Sequence, residues 1–149
     1  MPFGKRNRSD EPLSVIHEKV NQLIVEHKTN DPFVLTEALN FLIRYEKLPD
    51  SVNGFTVPFF DSRYLVINSD LTWEGTFVCA HELGHAILHP NCDFFFIRDH
   101  TLFVPGKFER EAHEFAIFLM TFGTEPEWGE TKEQYYHRLF IPWYKEFEV

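Results

Sequence analysis

The chain has 149 residues, a formal net charge of -9 and an aromatic content of 17%, dominated by phenylalanine. That length suits one domain with a real core, and the aromatic content excludes a disordered chain. The acidic balance argues against a dedicated nucleic-acid binder, which needs a basic footprint to neutralise phosphates. No direct contact with nucleic acid is expected.

No apolar run approaches the ~20 residues of a membrane span, so no membrane partner is expected. The two cysteines are Cys79 and Cys92. A secreted scaffold of this size would carry more of them, and the first residues lack the apolar stretch of a leader. A reduced, cytoplasmic protein is the expectation.

In chain order, residues 1–10 read as a disordered tail and residues 11–149 as a single domain, with 123–149 a C-terminal helical extension. Leu13, Ile16, Val20, Leu23 and Ile24 recur at helical spacing and predict an amphipathic helix from Pro12 to about His27. Asp31-Pro32 reads as an N-cap with Pro at the first helical position, opening a short helix through Leu39. Phe41 to Glu46, Gly54 to Phe60 and Arg63 to Asn68 are rich in β-formers, and Asp61-Ser62 marks a tight turn that makes the last two an antiparallel hairpin. Thr72 is the expected N-cap of the next helix, which His89-Pro90 ends, because the residue before Pro is disfavoured in the α conformation.

The stretch from Asn91 to Pro105 is apolar but irregular, either a short hairpin or a covering loop. A further helix follows Gly106 from Lys107 to Thr121, and Thr131 caps a last one to about Phe140. Tyr136, Leu139, Phe140 and Trp143 recur at helical spacing, as core or as a partner surface.

The most informative residues are His81-Glu82-Leu83-Gly84-His85. On a helix this H-E-x-x-H pattern places two imidazoles one turn apart on one face, with a carboxylate beside them, and so can hold a zinc ion and a base for its water. Chance alone would yield the pattern with a probability of roughly 0.05, so its surroundings must decide. At ~100° per residue, Trp73, Phe77, Ala80, Leu83, Gly84, Ile87 and Leu88 form a broad apolar arc. His81 and His85 flank that arc and Glu82 lies just beyond. A buried helix does not tolerate such a polar edge without a purpose. Gly84 costs about 1 kcal/mol in a helix interior relative to Ala, and its bare surface lets another element come close.

A catalytic zinc usually takes a third protein ligand and keeps one position open. The extended motif ending in a third histidine is excluded, because Leu88 stands at its Gly position and Asn91 at its His position. A glutamate from the Lys107–Thr121 helix remains. Glu109 shares a face with the small residues Ala112 and Ala116, whereas Glu111 lies on the bulky side and Glu114 points away. His113, one turn after Glu109, can orient a ligand or reach the metal itself. His89 is placed near the site as a second-shell group, or as a helix C-terminal group favoured by the dipole. Cys92 is a weaker candidate ligand.

Taken together, Tyr64-Leu65-Val66-Ile67-Asn68, the run from Phe77 to His89, and Glu109-x-x-Ala112-x-x-Phe115-Ala116 resemble the ImmA/IrrE family of zinc metallopeptidases, over roughly residues 15–122. The resemblance implies Zn2+ held by His81, His85 and Glu109, with Glu82 as the catalytic acid and base. It implies an α+β, small zincin-like domain, and the residues suggest helices packed on a short three-stranded antiparallel sheet. It further implies an endopeptidase acting on a protein substrate, a helix-turn-helix repressor of a phage or mobile element in bacteria, so that cleavage relieves repression. Two positions depart from the family pattern: His113 stands where Asn or Asp is frequent, and Leu119-Met120-Thr121 replaces a common Leu-Leu-Met-Pro ending.

The rival reading keeps the fold and drops the chemistry, as a zinc-binding regulatory or toxin/antitoxin-like module acting by protein contact. Glu82 speaks against it, because a structural zinc site needs no base and usually closes its fourth position with protein. No oxyanion donor is identifiable; Tyr64, Tyr135, Tyr136 and His137 are candidates. The hairpin strand before the motif helix would offer an edge for an extended substrate.

Overall fold

The computed structural model of the chain describes residues 14–90 and 106–142 and the backbone of 94–97. The expected tail at residues 1–10, Cys92 and Trp143 lie outside the described residues. The elements are α1 (Val15–His27), α2 (Pro32–Ala38), β1 (Leu42–Glu46), β2 (Val52–Phe59), β3 (Ser62–Asn68), α3 (Gly75–Leu88), β4 (Phe94–Ile97), α4 (Lys107–Thr121) and α5 (Lys132–Arg138). The class is α+β, as expected. No helix among the described residues is long and apolar enough to cross a membrane.

Local chemistry sets most of the helix starts. Ser14 accepts from the His17 N–H at the head of α1, and Asp31 accepts from the N–H groups of Phe33 and Val34 at the head of α2, ahead of Pro32. Thr131 and Gln134 form a reciprocal capping box on α5. The expected cap at Thr72 is not found: α3 opens at Gly75, after Glu74, with no side-chain cap. The Leu71 N–H bonds to the Asn68 carbonyl at 3.2 Å, and Leu71 packs against Ile67, Val78 and Cys79. That packing holds the link after β3 as a turn, so the helix starts later.

The sheet corrects the expected arrangement of three antiparallel strands. It has four strands in the order β1-β3-β2-β4, and it is mixed. The hairpin is present, with β2 antiparallel to β3, but its two-residue turn is Phe60-Asp61, between the paired Phe59 and Ser62. β1 runs parallel to β3, with Leu42 opposite Tyr64 and Glu46 opposite Asn68. Part of the stretch expected as a hairpin or covering loop is a strand, β4, antiparallel to β2.

Asn68 anchors the connection that lets β3 lie between β1 and β2. Its side-chain amide donates to the Val52 carbonyl at 2.8 Å and to the Leu48 and Pro49 carbonyls. Its side-chain oxygen accepts from the N–H groups of Leu48 and Asp70. One buried residue at the end of β3 thus ties down the segment that crosses from β1 to β2. Both hairpin strands are interior in this order, so neither offers the free edge expected for a substrate.

One sheet face packs on α3, and α4 packs on the opposite side of α3 in the most extensive helix pairing. Leu65, Phe77, Ala80, Leu83, Phe115, Ala116 and Leu119 form the centre of the core, joined by Ile16, Val20 and Leu35 from the first two helices. Ile141, beyond α5, is also buried in it.

Candidate metal centre

α3 is enclosed between sheet and helix, and every residue from Phe77 to Ala86 is buried. Gly84 sets its distance from α4. A Cβ there would meet the Phe115 Cδ1 at 3.0 Å and the Ala112 carbonyl oxygen at 3.2 Å, so only a bare helix surface admits α4 this closely. The small residue Ala112 is the other half of the contact. Their approach carries Glu109, in the first turn of α4, over the two motif histidines.

There His81 Nε2 lies 3.2 Å from Glu109 Oε2, and His85 Nε2 lies 2.7 Å from Glu109 Oε1, both within hydrogen-bond distance. One ligand atom from each of His81, His85 and Glu109 lies within 4.8 Å of the others. Both imidazoles are fully enclosed, while the Glu109 side chain keeps 20% exposure. Burial opposes the charge on Glu109, but hydrogen bonds and positive charge from His81 and His85 overcome it and hold the carboxyl well below its usual range. Two imidazole nitrogens and one ionised carboxylate, converging where a shared cation can replace their direct contacts, form a donor set that suits a divalent ion.

Glu82 is also fully buried, and neither of its carboxylate oxygens has a hydrogen-bond partner among the described residues. Desolvation pushes its pKa well above the usual carboxylate value, the nearby charge of Glu109 adds to this, and Arg63 opposes it. Such a group holds a proton more readily than a surface glutamate. The helix lies directly on β2 at this point: a Cβ on Gly54 would come within 3.7 Å of Glu82 Cγ.

Arg63 was not among the residues singled out in the sequence. It is 4% exposed, its Nε donates to Thr56 Oγ1 at 3.1 Å, and its NH1 donates to the Pro90 carbonyl just past α3. The signal was available: with a period of two, Leu65 and Ile67 put Arg63 on the face turned toward α3.

His113 is buried, with its ring edge-on to His81 at 5.8 Å and to Phe77 at 5.0 Å between centroids. His89 is buried too, with its Nδ1 3.0 Å from His85 Nδ1. Neither belongs to the converging group of three. Glu111 lies 3.9 Å from His89 Nε2, and Glu114 pairs with His17 on α1, away from the site. Of the tyrosines considered as oxyanion donors, Tyr64 packs on Phe59 and Tyr135 bonds to Thr124 Oγ1. His137 packs on Trp73.

The family model of peptidase M78, described as the IrrE N-terminal-like domain, matches residues 36–149. The chain belongs to this family. M78 proteins are metallopeptidases, and the matched stretch contains every residue of the converging site. The chain is also 39% identical, over 118 residues, to a Bacillus phage phi105 protein named uncharacterized immunity region protein 2, covering 78% of this chain and 72% of the relative. No solved structure matches. The ImmA/IrrE resemblance read from the motifs is thus correct for this M78 chain.

Proposed function

We propose that this protein is a zinc-dependent endopeptidase of the cytoplasm with a zincin-like catalytic core, hydrolysing one peptide bond in a specific protein. The observation that carries the reading is the convergence of His81, His85 and Glu109 beside the enclosed carboxylate of Glu82. His81 Nε2, His85 Nε2 and a Glu109 oxygen would hold the ion. When bound, zinc supplies Lewis acidity to the scissile carbonyl and lowers the pKa of water toward about 7. Glu82 takes a proton from the attacking water and passes it to the leaving amine, a task that suits a carboxylate with a raised proton affinity. His113, packed edge-on to His81, would help to hold that ligand's ring in place.

The substrate we propose is a helix-turn-helix repressor, whose cleavage relieves repression. The immunity-region name of the phage relative supports a place in the control of repression. The net charge of -9 favours docking of a basic DNA-binding protein.

The test is incubation of the zinc-loaded protein and its Glu82→Gln variant with a repressor encoded in the same genome. Cleavage by the parent chain and none by the variant is the expected result. Equal cleavage by both would remove Glu82 from the chemistry. Binding of the repressor by both, without cleavage by either, would favour a zinc-binding module that acts by contact.

A further inference from the structure

We propose that His89 is a positioning residue for the metal site, taking the Nδ1 hydrogen of His85 and so turning the His85 Nε2 lone pair toward the ion. The inference rests on the metal site proposed above. His85 Nδ1 and His89 Nδ1 face each other at 3.0 Å in a region closed to solvent. Two ring nitrogens at that distance bond only when one carries the hydrogen and the other offers a lone pair. An ion on His85 needs the lone pair at Nε2, which places the hydrogen of the neutral ring on Nδ1. The direction of the bond is thereby fixed: His85 donates and His89 accepts. His89 then carries its own hydrogen on Nε2, the atom that faces Glu111 Oε2 at 3.9 Å.

Ligating histidines usually give their second N–H to a carboxylate, a carbonyl or water. Here a second histidine takes that place because it stands four residues further on, on the same face of the helix. Three contacts hold it there. Its N–H closes α3 on the His85 carbonyl at 2.8 Å, its ring stacks on Phe108 at 4.2 Å, and Arg63 of β3 bonds the Pro90 carbonyl that follows it. Phe108 precedes Glu109 on α4, so one helix turn carries both a ligand and the platform for its neighbour's support.

Zinc affinity of the wild-type, His89→Leu and His89→Gln proteins would be measured by chelator competition, alongside the visible spectrum of the cobalt(II) forms and the melting of the metal-free forms. His89→Leu should lose about 10- to 100-fold in affinity and shift the cobalt spectrum while the metal-free fold still melts cooperatively. His89→Gln, whose side-chain oxygen can accept the same hydrogen, should recover much of that loss. Nitrogen NMR of the zinc-loaded wild type reads the ring hydrogens directly and needs no variant to fold: hydrogen on His85 Nδ1 and His89 Nε2 is expected. Unchanged affinity and spectrum in His89→Leu, or hydrogen on His89 Nδ1, would overturn the role of His89 alone. A wild-type chain that binds no zinc would overturn the metal site, and this inference with it.

Discussion

His85 Nε2 lies 2.7 Å from Glu109 Oε1, a contact between residues 24 positions apart that joins the motif helix to α4. Replacing Glu109 with Ala removes the only carboxylate of the converging group. Zinc affinity should fall by more than the ~10- to 100-fold that loss of an outer supporting partner costs. Chelator competition measures it, and an unchanged affinity would make His113 the next ligand to test.

Gly54→Ala tests how tightly the sheet seats α3. The new Cβ would stand 2.6 Å from the Val66 carbonyl oxygen and 2.9 Å from Val78 Cγ1, so the strand or the helix must shift. A loss of about 1–3 kcal/mol is expected from overpacking of this kind, read by urea denaturation. Retained stability would mean that β2 and α3 can separate at small cost.

Cys79 should be unreactive in the folded protein. Burial pushes its thiol up to about 12, the Thr36 hydroxyl opposes this, and the charges of Asp31 and Glu82 add to it. A raised thiol pKa disfavours the thiolate, so at pH 8 only about one molecule in 10,000 carries it, and reactivity rises with pH past the ordinary value near 8.5. Alkylation of a Cys92→Ser chain should be slow when native and fast in denaturant. Equal rates would contradict an enclosed thiol.

Thr131→Ala removes the hydroxyl that accepts from the Gln134 N–H, one half of the α5 capping box, and leaves the bond from the backbone N–H of residue 131 to Gln134 Oε1 in place; it should cost about 1 kcal/mol. Tyr135 and Ile141 are buried on either side of the end of that helix, so the cost should appear in the single global transition. A separate early transition would show that α5 unfolds on its own.

The convergence of His81, His85 and Glu109 was legible because its signals are short patterns within single helices. A turn of helix puts His81 and His85 together, and the small residues Gly84 and Ala112 mark where a second helix can approach and deliver Glu109. The helices with side-chain caps at Asp31 and Thr131 were legible for the same reason. The sheet order was not. Three successive strand-like runs suggest a meander, whereas β3 pairs with both of its predecessors, and the long-range bonds of Asn68 to Leu48, Pro49 and Val52 that hold the crossing segment are absent from the local pattern. Thr72 failed as a cap because Leu71 is drawn into the core, a tertiary effect absent from the local pattern. Arg63 escaped notice because a cation at an inward strand position is read as an exception until its partners are known.

His81, Glu82 and His85 are closed to solvent, whereas Glu109 keeps part of its side chain in water. It also belongs to the first turn of a helix whose leading residue, Gly106, makes no side-chain cap. Helix ends fray more readily than helix middles. In the proposed site, loading and release of an ion would therefore be kinetically unequal. For the zinc site proposed above, arrival would be drawn by a carboxylate already ionised at the exposed side of the site, and departure would depend on the first turn of α4. The residence time of the metal would then depend on the head of α4, and a capping substitution at Gly106 would be expected to lengthen it without touching a ligand.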